Sequence, residues 1–273
     1  MNWWTTISAN IEPKFNIGEV TFHYYGLMIA LALIAGLSLA THRARSSHYS
    51  RPEVETAFMW AVIPALIGAR LYHVIDNLGY YVLRPFDILA VWQGGLGIYG
   101  AIIGAVSGLV YAAHKQKVKL LWLLDLFAPS AALGQAIGRW GNFFNQEGYG
   151  PPTNLPWKIY IDPARRVPAY ADNDFFHPLF LYESLWNLVV FGILMLLARR
   201  KLPEGFIAAS YLILYGLGRF VIEFGRLDTA MWAGVKVAHI ISAVFVASGI
   251  LFMIGRHFSS PLIKSSSNHG PVV

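Results

Sequence analysis

The sequence contains no cysteine. That excludes a disulfide framework, a thiolate metal site and a cysteine nucleophile of the protein's own. Charge is scarce too. Asp, Glu, Lys and Arg make up 13% of the 273 residues, against about a quarter in soluble domains, while 56% are hydrophobic. With a mean hydropathy of +0.48, this balance argues for an integral membrane protein. The opening MNWWTTISANIEPKF lacks a basic stretch leading straight into an apolar core, so no cleavable signal peptide is expected. No internal repeat or low-complexity segment stands out. The tail from about 260 to 273, containing KSSSNHGPVV, is expected to be disordered.

What is present is long apolar runs. A bilayer core takes about 20 mostly apolar residues per helix. Seven segments qualify, at about 22–41, 56–76, 96–114, 120–138, 178–198, 206–225 and 236–255. The connections after the first, third and fifth of these each carry three basic residues, and the tail adds Arg256 and Lys264. By the positive-inside rule that side is cytoplasmic, which puts the N-terminus outside and the C-terminus inside. Nine Trp and fourteen Tyr suit a protein with two membrane interfaces. The net charge of +6 is thus a topological signal, and no nucleic-acid partner is expected, because the basic loops lack interleaved aromatics. The expected fold is all-α, one transmembrane catalytic domain over 1–273 with seven spans and a small outer cap from the 139–177 loop.

Two glycine rows, Gly100, Gly104, Gly108 and Gly134, Gly138, recur every four residues, spacing that lets helix backbones approach closely. Ionisable residues inside spans are costly and are functional candidates by default. Arg70, Arg139, Arg219, Glu223 and Arg226 all fall in the outer half of the expected bundle. His23, Tyr24, Tyr25, Tyr99, His177, Tyr182 and Glu183 open helices on the same side. Asp125, near an inner helix end, is the exception, either a local cap or a partner for a loop lysine. At about 100° per residue, Tyr215, Arg219, Glu223 and Arg226 share an arc of roughly 80° on the sixth span. Arg70, Arg139, Arg219 and Arg226 face Glu147, Glu183 and Glu223, a small cationic surplus. Guanidinium in low dielectric seeks an anion, and its planar fork suits phosphate, so a phospholipid headgroup is the expected ligand. The stretch GRWGNFFNQEGYG, 138–150, joins Arg139 to Asn142, Asn145, Gln146 and Glu147 at a helix end. A plain helix stop needs one glycine, whereas this ensemble suits a headgroup pocket. A transporter or binder of an anionic lipid or solute is the alternative class. A retinal-type receptor fits less well, since Lys236 lies at a helix edge.

These residues resemble a known family. Gly138-Arg139-x-Gly141-Asn142-Phe143-x-Asn145-x-Glu147-x-x-Gly150 is similar to the signature of the prolipoprotein diacylglyceryl transferases. His23-Tyr24-Tyr25-Gly26, Gly68-Ala69-Arg70, Gly94-Gly95 with Tyr99-Gly100, His177-Pro178 with Leu181-Tyr182-Glu183, and Tyr215 through Arg226 resemble further family elements, in family order. The resemblance implies a seven-helix enzyme of the bacterial plasma membrane that needs no cofactor. It would transfer the diacylglyceryl group of phosphatidylglycerol to the lipobox cysteine of a prolipoprotein, releasing glycerol phosphate. The missing cysteine is consistent, because the thiol belongs to the substrate. Arg139 and Arg219 are the expected phosphate grip. Asn142, Asn145, Glu147 and Gly150 would line the headgroup pocket, supported by Tyr25, Arg70, His177, Tyr215, Glu223 and Arg226. Some relatives carry histidine where this chain has Tyr99. The thiol proton is therefore assigned either to Tyr99 or to electrostatic assistance from the arginines. His239 stands where relatives often have glutamine, and its role stays open.

Overall fold

The computed structural model describes residues 3–45, 49–91 and 94–258. The expected disordered tail lies outside the described residues. Most of the chain is α-helix, and six of the described helices are long and apolar enough to cross a bilayer. These are α2 (Tyr24–Ala44), α3 (Arg51–Asp76), α6 (Leu120–Asn145), α7 (Leu179–Leu197), α8 (Phe206–Glu223) and α9 (Val237–Phe258). The expected third span is also a helix, α5 (Ile98–Gln116), which follows the short α4 (Leu78–Leu83), but it is not among the six. Its glycines and its polar His114-Lys115-Gln116 end dilute its apolar character. Many side chains on the spans are apolar and outward-facing, Ile75, Val221 and Leu251 among them, as expected where lipid replaces water.

Two boundaries differ from expectation for local chemical reasons. Helix α3 begins five residues early because Ser50 donates its backbone N–H and its hydroxyl to Glu53, with Pro52 in the first turn. Helix α6 does not stop at Gly138. It runs through Arg139, Asn142 and Asn145 and ends where Gln146 takes a positive φ of 50°. The first seven residues of the expected 139–177 loop are therefore the last two turns of a helix.

The contacts divide the chain into two compact units, one of residues 1–36 and 127–273, the other of residues 37–126. In the second unit, α3 and α5 pack antiparallel through the first glycine row. A Cβ on Gly100 would lie 2.0 Å from the Gly68 carbonyl oxygen, one on Gly104 2.0 Å from that of Pro64, and one on Gly108 1.6 Å from that of Trp60. Only hydrogen fits at those positions. The second row behaves differently: a Cβ on Gly134 or Gly138 would meet nothing closer than 3.7 Å. Those two glycines are not close-packing points. Also in this unit, Arg43 donates to the carbonyls of Asp125 and Leu126, so Asp125 lies beside an arginine of α2.

In the first unit, a short helix α1 (Trp3–Ala9) and a hairpin of β1 (Lys14–Ile17) and β2 (Val20–His23) lead into α2. Between α6 and α7 the chain builds the expected small cap. Strand β3 (Ile159–Tyr160) pairs antiparallel with β4 (Phe175–Phe176), and short 3-10 turns run over Pro163–Arg165 and Pro168–Tyr170. Gln146 ties the cap to both neighbours: its side chain accepts from the Asp162 N–H at 2.7 Å and donates to the Ser8 carbonyl at 3.2 Å. Beneath lies an aromatic core of Phe143, Tyr149, Ile159, Ile161, Phe176 and Phe180. Its packing fixes the end of α6 against the start of α7. Finally, β5 (Met231–Trp232) and β6 (Val235–Lys236) form a second hairpin between α8 and α9.

Candidate functional site

Glu183 occupies the second turn of α7 and is 4% exposed. Three guanidinium groups meet on its carboxylate. Arg139 from α6 lies 2.6 Å from Oε2, while Arg219 from α8 lies 2.9 Å and Arg226 3.7 Å from Oε1. Arg219 also pairs at 2.6 Å with Glu223, one helical turn on and wholly buried. Arg226 lies past the end of α8 rather than on it, yet the turn returns its side chain to the cluster, where Asp228 accepts from its Nε at 3.3 Å. Buried charges survive only when paired and hydrogen-bonded, and here every arginine has a carboxylate within reach.

A second tier of side chains surrounds this centre. Arg139 donates to Asn142 Oδ1 at 3.4 Å, and Asn142 in turn donates to Glu147 at 2.9 Å. Asn145 donates to the same Glu147 oxygen at 3.4 Å. Arg139, Asn142 and Asn145 stand at i, i+3 and i+6 on the continued α6, which is why the helical extension matters to the site. Tyr25, at the start of α2, is within electrostatic reach of Glu147 and Arg139 and rests on Gly141, where a Cβ would come within 2.6 Å of its ring. Tyr215, one turn before Arg219, reaches Arg139 with its hydroxyl.

Several expected site residues take supporting places. The Gly150 N–H donates to the His177 carbonyl at 3.0 Å, and a Cβ there would press on His177 and Leu179 at 3.0 Å. The His177 ring meets the Tyr182 hydroxyl at 3.1 Å, and the indole of Trp157 donates to that hydroxyl at 2.7 Å. His239, left open above, is flanked by the rings of Phe220 and Phe224.

Arg70 and Tyr99 belong to the other unit. Arg70 is buried, and its guanidinium donates to the carbonyls of Asp87, Ile88, Gly94 and Gly95. It organises its own loop, and its face stacks near Tyr81 at 5.3 Å. Arg70, Tyr81, Asp87, Gly94 and Gly95, with His73, Asn77 and Tyr80, line a cavity of about 320 Å³. Tyr99 meets the ring of Tyr72 edge-on at 5.7 Å.

The expected cationic surplus counted Arg70, which lies in the other unit, whereas Arg139, Arg219 and Arg226 lie together in this one. Asp228 and Lys236 were missing from the count. With them, Arg139, Arg219, Arg226 and Lys236 stand with Glu147, Glu183, Glu223 and Asp228, four of each sign. Lys236 donates to the carbonyls of Glu223 and Arg226 at 2.7 and 2.8 Å, and Thr229 donates its hydroxyl to Glu223. Asp228 also accepts from the Gly148 N–H at 3.2 Å, joining the end of α6 to the turn after α8. The signal that could have found Asp228 was its place two residues after Arg226 in a turn. What distinguishes the cluster is concentration: three guanidiniums converge on one carboxylate, and a guanidinium has five N–H donors, more than its pairings here engage.

Comparison with known proteins adds to this geometry. The family model described as prolipoprotein diacylglyceryl transferase matches residues 13–255. The phosphatidylglycerol–prolipoprotein diacylglyceryl transferase of Acaryochloris marina is 41% identical over 251 residues, covering 91% of this chain and 92% of its own. That of Synechococcus elongatus is 43% identical, covering 87% and 84%, and that of Thermotoga maritima 41% identical, covering 90% and 85%. Matches of this extent span every helix that contributes to the arginine cluster. The chain belongs to the prolipoprotein diacylglyceryl transferase family.

Proposed function

We propose that this protein transfers the diacylglyceryl group of phosphatidylglycerol to the lipobox cysteine thiol of a prolipoprotein, the first step of lipoprotein maturation. The observation that carries the site assignment is the convergence of Arg139, Arg219 and Arg226 on Glu183. In the reaction the substrate sulfur bonds to the glyceryl carbon as that carbon's bond to the phosphate oxygen breaks. The electron pair leaves on glycerol phosphate, and the thiol proton is lost. Charge therefore grows on a phosphate oxygen, and preorganised guanidinium donors stabilise growing charge best where water is excluded. Arg139 and Arg219 take that role, their orientation fixed by Glu183 and Glu223. Asn142, Asn145, Glu147 and Gly150 shape the headgroup side, with Tyr25, Tyr215, Arg226 and His177 as supports. Arg70 supports the loop that carries Gly94 and Gly95.

The thiol proton goes either to Tyr99 or to solvent, with thiolate favoured by the nearby positive charge. The whole chain works as one catalytic domain of a bacterial plasma-membrane protein, with α5 as the seventh span. The N-terminus and active site face the outer leaflet and the C-terminus the cytoplasm. The basic loops support that orientation.

The test uses purified protein, phosphatidylglycerol vesicles and a lipobox peptide. A mass gain of one diacylglyceryl group on the peptide is expected, with Arg139→Ala and Arg219→Ala losing it. Intact transfer in either variant would overturn the phosphate-grip assignment. Full activity in Tyr99→Phe would exclude its hydroxyl as the base.

A further inference from the structure

The β5–β6 hairpin carries the exposed apolar side chains Met231, Trp232 and Val235, with Trp232 69% exposed. Its two-residue turn, Ala233-Gly234, has φ of 49° and 79°, the left-handed pair that makes the tightest hairpin. Such a turn gives a stiff tongue rather than a floppy loop. Val221 and Phe224 at the end of α8 are also exposed, at 67% and 69%. The exposed apolar end of that span is thus followed, after a turn that exposes Asp228, by the exposed apolar hairpin.

The root of the tongue is anchored in the ion-pair cluster. Just before it, Asp228 holds Arg226, and the Thr229 hydroxyl donates to Glu223. At its far end, Lys236 donates to the carbonyls of Glu223 and Arg226. Both ends of the hairpin thus grip the two residues that orient Arg219 and complete the Glu183 centre.

We propose that this hairpin seats in the phospholipid interface, between headgroups and acyl chains, and acts as a positioning element for Glu223 and Arg226. The exposed apolar side chains at the end of α8 and on the hairpin, with the charged Asp228 at its root and a tryptophan, which favours that interface, identify lipid as its occupant. A tongue held at headgroup level keeps the arginine cluster at the depth of the phosphate it acts on. This role rests on the proposed reaction for its consequence, but the location of the tongue can be measured without turnover.

The lack of cysteine makes the measurement clean. Val235→Cys provides a single thiol for a spin label in phospholipid nanodiscs. Accessibility to oxygen with protection from a water-soluble nickel chelate is expected. Free access of nickel to the label would overturn the proposal. So would protection that arises only on adding lipobox peptide, which would make the tongue a peptide-docking element. Trp232→Ser should raise the apparent KM for lipid in vesicles several-fold with kcat retained, and Trp232→Phe should restore it. Unchanged kinetics in Trp232→Ser would overturn the link between the tongue and the cluster, while leaving the transfer reaction itself measured in the same assay.

Discussion

Arg139 and Glu183 are paired at 2.6 Å between α6 and α7, and the other oxygen of Glu183 holds Arg219 at 2.9 Å. One carboxylate therefore fixes two guanidiniums from two further helices. Breaking a buried pair by removing one partner costs about 3–5 kcal/mol, because the charge left behind is uncompensated. Glu183→Leu is expected to lower the thermal midpoint in detergent and to abolish transfer. Glu183→Gln, which keeps the shape and one acceptor oxygen, should fold closer to the parent while still losing most activity. A Gln variant with parental kinetics would show that the negative charge on Glu183 is not what orients the arginines.

The two glycine rows should respond oppositely to the same substitution. Gly104→Ala and Gly108→Ala place a Cβ 2.0 and 1.6 Å from carbonyl oxygens of α3, so the helices must separate. Overpacking of this kind costs about 1–3 kcal/mol. Gly134→Ala meets only ordinary contacts at 3.7 Å and removes glycine's excess chain entropy, so it should be neutral or slightly stabilising. Thermal unfolding of the three variants, followed by tryptophan fluorescence, checks the contrast.

That contrast also shows what the sequence could and could not reveal. Helix positions followed from hydropathy, because a bilayer imposes both length and apolarity. The clustering of Arg139, Glu183, Arg219 and Glu223 could be anticipated because charge in a span demands a reason. Spacing alone could not tell a glycine that touches a neighbour from one that does not, since both rows repeat every four residues. The reach of α6 was hidden for a related reason: Gly138 and Gly141 look like a stop, yet Gly141 is there to admit the Tyr25 ring. Asp228 and Lys236 were missed because they come from a bend and a two-residue strand, whose geometry no periodicity encodes. Arg70 looked like a site cation, and its carbonyl partners became visible only once the 87–95 loop was folded around it.

Arg70 gives a separate prediction. Its planar fork serves carbonyls at four residues, two before and two after the middle of one loop. A lysine offers three donors from a single nitrogen and cannot span that arrangement. Arg70→Lys should expose the segment around Gly94 and Gly95 to limited proteolysis, and Arg70→Ala more so. Parental protease resistance in the lysine variant would show that the loop holds together without the fork.

Tyr149 links the cap to alkaline pH. Its hydroxyl donates to the Arg165 carbonyl at 2.7 Å and accepts from the Val167 N–H at 2.8 Å, inside the aromatic core. Burial pushes its phenol above the usual range, and the Asp228 charge adds to that, against opposing effects of the Val167 N–H and Arg166. A folded pKa above the unfolded one means that the folded state holds the proton more tightly. The resulting stability is complete below the ordinary phenol value of about 10 and is lost as pH rises through the raised value. Tyr149→Phe removes both hydrogen bonds and leaves the Arg165 carbonyl and Val167 N–H to find new partners, at a cost of about 1–3 kcal/mol near neutral pH. The variant has no proton at this position to lose. The gap in thermal midpoint between parent and Tyr149→Phe should therefore be widest near neutrality and shrink above about pH 10. Other tyrosines titrate equally in both proteins and cancel in that difference. A gap that stays constant into the alkaline range would mean that the Tyr149 hydroxyl contributes packing alone, and that its proton is not coupled to the folding of the cap.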